Sequence, residues 1–282
     1  MQRTDQPPIL DRGATRARPA RAASIPRILH YVWVGPGELP ARDAAFVEGW
    51  KRLHPGWELR AWTEETIDFA ASAWLKRAYA MRAWNRVSDF VRMDCLVRHG
   101  GVYLDTDIEL LKPLDPLLDD GCFLGYQADA PSPHWTLGPH WVNSAVVGAT
   151  RGHWFPRAVL RHITTRVSGE ESGAGLTGPG AVTRILLDAG MPPTSPVPVR
   201  IDDLTVYPRQ FFYPWGQDGP FDPAAIRPET FATHHWAATW VAEYRRWPLR
   251  KKLRMRIARY MPGLAFAMTR AAVRRERRRL SR

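Results

Sequence analysis

A chain of 282 residues with 45% hydrophobic content suits one large α/β domain or two small ones. Its two cysteines, Cys95 and Cys122, exclude a disulfide framework and fit a reducing compartment. The net charge of +12 is concentrated at one end: residues 245–282 hold 15 Lys/Arg against one acid, Glu276, while the remainder carries 25 basic and 27 acidic residues, which argues against a nucleic-acid-binding body.

Residues 1–24 are rich in Arg, Ala and Pro with little apolar periodicity, and read as a disordered leader. No apolar core of a signal peptide opens the chain, and no run approaches the ~20 apolar residues that span a bilayer. Residues 27–34, RILHYVWV, form an apolar run of β-formers closed by the turn cluster GPGELP. That is the pattern of a buried strand ending in a loop, where open α/β sheets bind ligands. Trp33 lies at this end, either as a core residue or as a stacking partner for a base. Residues 43–53 have helical spacing, with Phe46, Val47 and Trp50 on one face. ELRAW gives a second strand around Leu59 and Trp62, and Thr63 with Glu65 and Thr66 reads as a helix start. The order β-α-β-α favours a Rossmann-like sheet. No G-x-G-x-x-G follows the first strand, which counts against a standard dinucleotide site.

Residues 83–99 read as a helix with an apolar stripe of Val87, Phe90, Val91, Leu96 and Val97, stopped by Gly100 and Gly101. Asp89 and Arg92 are spaced i,i+3 on a neighbouring face. They suit either a surface salt bridge or a charged pair aimed at a polar ligand. The helix leads into residues 100–109, GGVYLDTDIE, around which the chain is organised. Read as one strand, this stretch puts Tyr103, Asp105 and Asp107 on one face, the two carboxylates about 7 Å apart along the strand. Two acids so placed are either solvated at a surface or hold a hard divalent cation, Mn²⁺ or Mg²⁺, which leaves further positions to water and substrate phosphates. A phosphatase of the D-x-D-x-T/V type is a poorer match, because Glu109 occupies the last position.

Residues 110–118 leave through two prolines into a short helix, and 121–126 and 141–148 form further strands. The second of these carries Asn143 and Ser144 among apolar neighbours. A buried polar pair needs partners, from a pocket or from backbone. Residues 168–180 make a glycine-rich loop that is no P-loop, before a helix over 181–189. Residues 191–223 read as an irregular strand and loop. Residues 231–240, FATHHWAATW, close the body; His234 and His235 are adjacent, so one imidazole at most is expected at a metal near the Asp pair.

In 245–282, Leu249, Leu253, Ile257 and Met261 repeat at about four residues among Arg and Lys, interrupted near Pro262–Gly263. This basic amphipathic tail either lies on an anionic membrane surface or packs on the body through its apolar stripe; the charge segregation favours the membrane.

The succession IPRILHYVWVG, HPGWELRAW, SDFVRMDCLVRHGGVYLDTDIELLKPLD, TGPG and HHWAATW resembles glycosyltransferase family 32, the DXD-motif sugar transferases that include yeast α-mannosyltransferases and bacterial capsule and lipopolysaccharide enzymes. It is more distantly similar to the glucosylating domain of large clostridial toxins. The resemblance covers residues 25–240 and implies a GT-A fold, α/β and Rossmann-like with a mixed central sheet in one domain (25–244), with the basic helical tail outside it. It implies a metal-dependent retaining enzyme that passes a hexose from a UDP- or GDP-linked donor to a glycan or lipid-linked acceptor in polysaccharide synthesis. Asp105 would contact the ribose and the metal, and Asp107 would ligate the metal. Asp89 and Arg92 match the S-D-x-x-R pattern that holds the donor sugar, and Asn143 falls in the same pocket. Tyr103 matches the aromatic residue near the ribose and Trp33 the residue that stacks on the base. His234 or His235, with Trp236 and Trp240, match the segment that closes over the diphosphate. With the tail, this implies a cytoplasmic enzyme peripheral at the inner membrane face, with no nucleic-acid partner. The rival is an inactive nucleotide-sugar or nucleic-acid binder that uses the Arg-rich tail.

Overall fold

The computed structural model describes residues 24–128, 142–166, 177–216, 222–237 and 261–280. The leader (apart from Ser24), much of the glycine-rich loop, Trp240 and residues 245–260 of the tail lie outside the described residues. The chain begins with β1 (Ile28–Val32), α1 (Ala41–Leu53), β2 (Glu58–Trp62), α2 (Ala73–Ala80) and α3 (Trp84–His99). It continues with β3 (Gly101–Leu104), β4 (Ile108–Leu110), β5 (Cys122–Tyr126), β6 (Val142–Ala149), α4 (Trp154–Arg166) and α5 (Pro179–Asp188). It closes with β7 (Val199–Ile201), β8 (Leu204–Tyr207), β9 (Ala232–His234) and α6 (Pro262–Leu280).

Seven of these strands form one mixed sheet in the order β2-β1-β3-β6-β5-β8-β7. The β-α-β-α opening makes its parallel half, with β2 and β3 both parallel to β1. Strand β6 runs antiparallel between β3 and β5 and joins that half to the rest. Every residue of β5 and β6 is buried, which explains their unbroken apolar runs. The expected irregular stretch 191–223 instead supplies a hairpin, β7–β8, and β8 enters the sheet parallel to β5. Helix α3 packs one sheet face through Phe90, Val91 and Leu96. Helix α1 packs the other with Val47 and Trp50 against Val102 and Leu104.

Two local expectations are corrected. The helix start read at Thr63 is a turn, and the helix begins ten residues later at Ala73. The Thr66 hydroxyl takes the Thr63 N–H and donates to the Ala61 carbonyl, which closes the chain on itself. Ser72, whose hydroxyl accepts the Leu75 N–H, is the real N-cap. The stretch 100–109 is two strands. Strand β3 ends at Leu104, Asp105–Asp107 form a turn closed by Ile108 N–H to the Asp105 carbonyl (3.0 Å), and β4 leaves to pair with β9 in a separate two-stranded sheet.

The glycine pair before β3 is required by crowding. At Gly101 (φ +104°) a Cβ would stand 2.6 Å from the Ile28 carbonyl oxygen and 2.9 Å from His30 Nε2. His30 is itself fixed there. Its Nε2 lies 2.8 Å from the Gly100 carbonyl and its Nδ1 takes the Trp62 indole N–H, so the neutral ring has its proton on Nε2. Burial drives its pKa down to about 4, overcoming the Gly100 hydrogen bond.

Helix α6 packs on α2. Phe266 meets Phe69 and Tyr79, Val273 is buried, and the Thr269 hydroxyl donates to the Ala80 carbonyl. The described part of the basic tail therefore sits on the body by one face. No described helix is long and apolar enough to cross a membrane.

Candidate active site

The Asp105–Asp107 turn lies where the large sheet hands the chain to the small one. Strand pairing sets Ile108 opposite His234, which brings His234 beside Asp107. His234 Nε2 is 3.2 Å from Asp107 Oδ1, and Asp107 Oδ2 accepts the Ala237 N–H at 2.7 Å. Burial works to raise the Asp107 pKa, but the charge and hydrogen bond of His234 and the Ala237 N–H outweigh it and hold the pKa at about 2. Asp105, Asp107 and His234 each present one donor atom, all within 4.8 Å of one another. Two carboxylate oxygens and one imidazole nitrogen suit Mn²⁺ or Mg²⁺ with positions left for phosphate oxygens. The donor set therefore fits the metal that the sequence resemblance implies.

His235 points elsewhere. Its Nε2 lies 2.8 Å from Glu109 Oε2 and its N–H holds the Asp107 carbonyl, so it braces the turn. Of the two histidines, His234 joins the cluster.

Behind the turn is a buried charge network. Asp105 Oδ1 accepts from Arg92 Nη2 (2.7 Å) and from the Tyr103 hydroxyl (2.9 Å). Arg92 also donates to the Ser144 hydroxyl, faces Asp89 at 3.4 Å and sits over the Tyr103 ring. Burial works to lower the Arg92 pKa, but Asp105 foremost, with Tyr103 and Asp89, outweighs it and holds the guanidinium above its ordinary value. Burial pushes the Asp89 carboxyl up, against the pull of Arg92 and of the Thr177 hydroxyl, which donates to it at 2.7 Å. The i,i+3 pair on α3 thus faces inward. Tyr103 is fully buried, outside the cavity lining, and its hydroxyl holds Asp105.

Asp89, Arg92, Asp105, Asp107 and His234 line a cavity of about 510 Å³ that also takes in Trp33, Asn143 and Trp236. Trp33 is tied by its indole N–H to the Gly37 carbonyl. The Trp236 ring lies 4.0 Å from that of His234. Asn143 donates its amide N–H to Gln127 Oε1 and accepts the Ala145 N–H on Oδ1, which fixes its side chain in the cavity wall. Of the expected site residues, only Trp240 lies outside the described residues. Sequence reasoning missed Trp84, Asn85, Gln127 and Asp43, which also line the cavity, and Thr177 behind it. Trp84 and Asn85 open α3 one turn before Asp89, a helical spacing that marks them as neighbours of the Asp89–Arg92 pair.

Residues 40–124 match the family model described as a glycosyltransferase sugar-binding region containing a DXD motif. Inositol phosphoceramide mannosyltransferase 3 of Schizosaccharomyces pombe is 30% identical over 149 residues, 51% of this chain and 38% of that protein. Inositol phosphoceramide mannosyltransferase 1 of the same yeast is 33% identical over 113 residues, 38% of this chain and 35% of that protein. The chain thus spans little more than a third of the length of these relatives. Among solved structures, the PaToxG glycosyltransferase is 16% identical, with a TM-score of 0.48 over 58% of this chain and 70% of that one. A glycosyltransferase involved in glycosylation of the major capsid of PBCV-1 is 12% identical, with a TM-score of 0.39 over 73% and 92%. The turn that carries Asp105 and Asp107 falls inside residues 40–124, the part of the chain that matches the DXD-motif sugar-binding region.

Proposed function

We propose that the chain is a retaining GT-A glycosyltransferase that passes a hexose from a UDP- or GDP-linked donor to a glycan or lipid-linked acceptor. One observation supports this above others: Asp105, Asp107 and His234 converge on the same cavity as the buried Asp89–Arg92 pair, between tryptophan walls. Asp105, Asp107 and His234 would hold Mn²⁺ or Mg²⁺, which supplies charge neutralisation for a diphosphate leaving group. Trp33 offers a flat face to the base. Asp89 accepts, and Arg92 donates, hydrogen bonds to sugar hydroxyls and so turns C1 toward the acceptor. Trp236 and the Ala237 backbone close the phosphate end and exclude water. We assign a front-face displacement in which the leaving diphosphate takes the acceptor proton.

The relatives are named as inositol phosphoceramide mannosyltransferases, so mannose heads the sugars to test and a lipid-linked acceptor heads the acceptors. The tail suits such an acceptor. Met261, Leu264 and Met268 are 55%, 47% and 56% exposed at helical spacing, and Arg275 continues the row. An apolar row ending in arginine fits the interface of an anionic membrane at its cytoplasmic face.

The test is release of nucleoside diphosphate from UDP- and GDP-linked mannose, glucose, galactose and N-acetylhexosamines, with Mn²⁺ and with EDTA. Release from one donor, abolished by EDTA, is expected. Release from none, even with lipid and glycan acceptors present, counts against a transferase.

A further inference from the structure

We propose that α6 latches the loop after β1, and that Arg277 and Glu64 are positioning residues for the donor nucleotide; the nucleotide half of this rests on the transferase reading above. Glu64 follows β2 and is buried. A buried carboxylate needs partners, and Glu64 draws them from three elements. Its Oε1 accepts the Gly35 N–H at 2.7 Å and the Tyr79 hydroxyl at 3.3 Å. Its Oε2 has no hydrogen-bond donor; the charge there is met by Arg277 of α6, whose Nη2 stands 2.7 Å away as an ion pair. Arg277 Nε donates to the Gly35 carbonyl at 3.2 Å, across 242 residues of chain. Arg270, two turns earlier on α6, donates to the Glu64 carbonyl.

Both backbone polar groups of Gly35 are thus held, one by Glu64 and the other by α6. Gly35 has φ +108°, and a Cβ there would stand 3.2 Å from the Trp84 indole. The residue is pinned between the latch on one side and a cavity wall on the other. The Trp33 indole donates to the Gly37 carbonyl across it, and Val34, Pro36 and Gly37 line the cavity. What fixes Gly35 therefore fixes Trp33 and the loop that would meet a base. Attachment of the helix does not depend on Arg277. Phe266, Thr269 and Val273 already hold α6 on α2, while the Arg277 contacts go to Gly35 and Glu64. Preorganising a binding loop in this way adds affinity by sparing the cost of ordering it when ligand arrives.

The experiment compares the full chain as wild type, Arg277→Ala, Arg277→Lys and Arg274→Ala. Arg274 is exposed on the same helix and loses the same charge. Hydrogen exchange is followed in the peptide spanning 33–39, and UDP and GDP binding is titrated calorimetrically with Mn²⁺. Exchange in 33–39 is expected to accelerate at least about tenfold in Arg277→Ala, with about tenfold weaker binding of the preferred nucleotide. Arg274→Ala should match wild type, and Arg277→Lys, which keeps the charge without the Nε donor, should fall between. Unchanged exchange in Arg277→Ala overturns the latch. Faster exchange with unchanged nucleotide affinity overturns the positioning role. Binding of neither nucleotide by wild type overturns the transferase reading and with it the nucleotide half of the proposal, while the exchange data still decide the latch.

Discussion

Asp107→Asn is expected to lower metal-dependent release of nucleoside diphosphate by about a thousandfold or more, the several kcal/mol that a Lewis acid supplies at a leaving phosphate. The substitution keeps the size of the side chain, and its oxygen can still accept the Ala237 N–H. What it removes is the charge. His234 and the Ala237 N–H hold that charge against burial, with the pKa at about 2 instead of the ordinary 3.8. The folded state therefore favours the ionised form, and the associated stability is present above pH 3.8 and fades as pH falls toward 2. At pH 7 its loss costs about 2 kcal/mol, or about 5 °C in melting temperature. A small fall in stability beside a large fall in release places Asp107 in the chemistry. An equal loss of release in an unfolded variant would say nothing about the metal, so melting is measured on the same sample.

Arg92→Ala is expected to have the largest effect on stability. Arg92 bridges Asp89 and Asp105, and it also donates to Ser144. Removing it leaves the buried Asp89 and the partly buried Asp105 without their shared cation, which costs about 3–5 kcal/mol and roughly 10 °C or more in melting temperature. Release should vanish with it, since Asp105 and Asp89 lose their orientation together. Adding Asp89→Asn and Asp105→Asn to Arg92→Met should recover most of the lost stability, because removing the charges removes the penalty, yet recover no activity. Calorimetric melting of the single and triple variants checks this. A single variant as stable as wild type would contradict the network.

Much of the sheet is readable from the chain because its central strands are buried on both faces. RILHYVWV, GCFLGY and WVNSAVVG are continuous apolar runs closed by turn residues, and each lands within a residue or two of β1, β5 and β6. The Asp105–Asp107 break was hidden for a physical reason. Alternation carries through Val102, Tyr103 and Leu104 and then continues by accident through the turn, so period alone cannot mark where one sheet ends. The Asp89–Arg92 pair illustrates a second limit. A polar face beside an apolar stripe usually means solvent, but here it faces the cavity, and only the convergence of α3, β3 and β6 reveals that. His234 and His235 could be separated only by register, since which one meets Asp107 is set by the pairing of β9 with β4. Glu64 carries no signal in the sequence, because its partners Gly35 and Arg277 are distant along the chain.

The central claim is that Asp105, Asp107 and His234 bind one divalent ion together with a nucleoside diphosphate. It is tested most directly by Mn²⁺ uptake, read from the paramagnetic resonance signal of free Mn²⁺ in the presence of UDP or GDP. The account predicts one ion per chain in wild type and in His235→Ala, and binding weakened by about tenfold or more in His234→Ala, the loss typical of removing a ligand or its support. Equal uptake by wild type and His234→Ala, or a loss confined to His235→Ala, would contradict it.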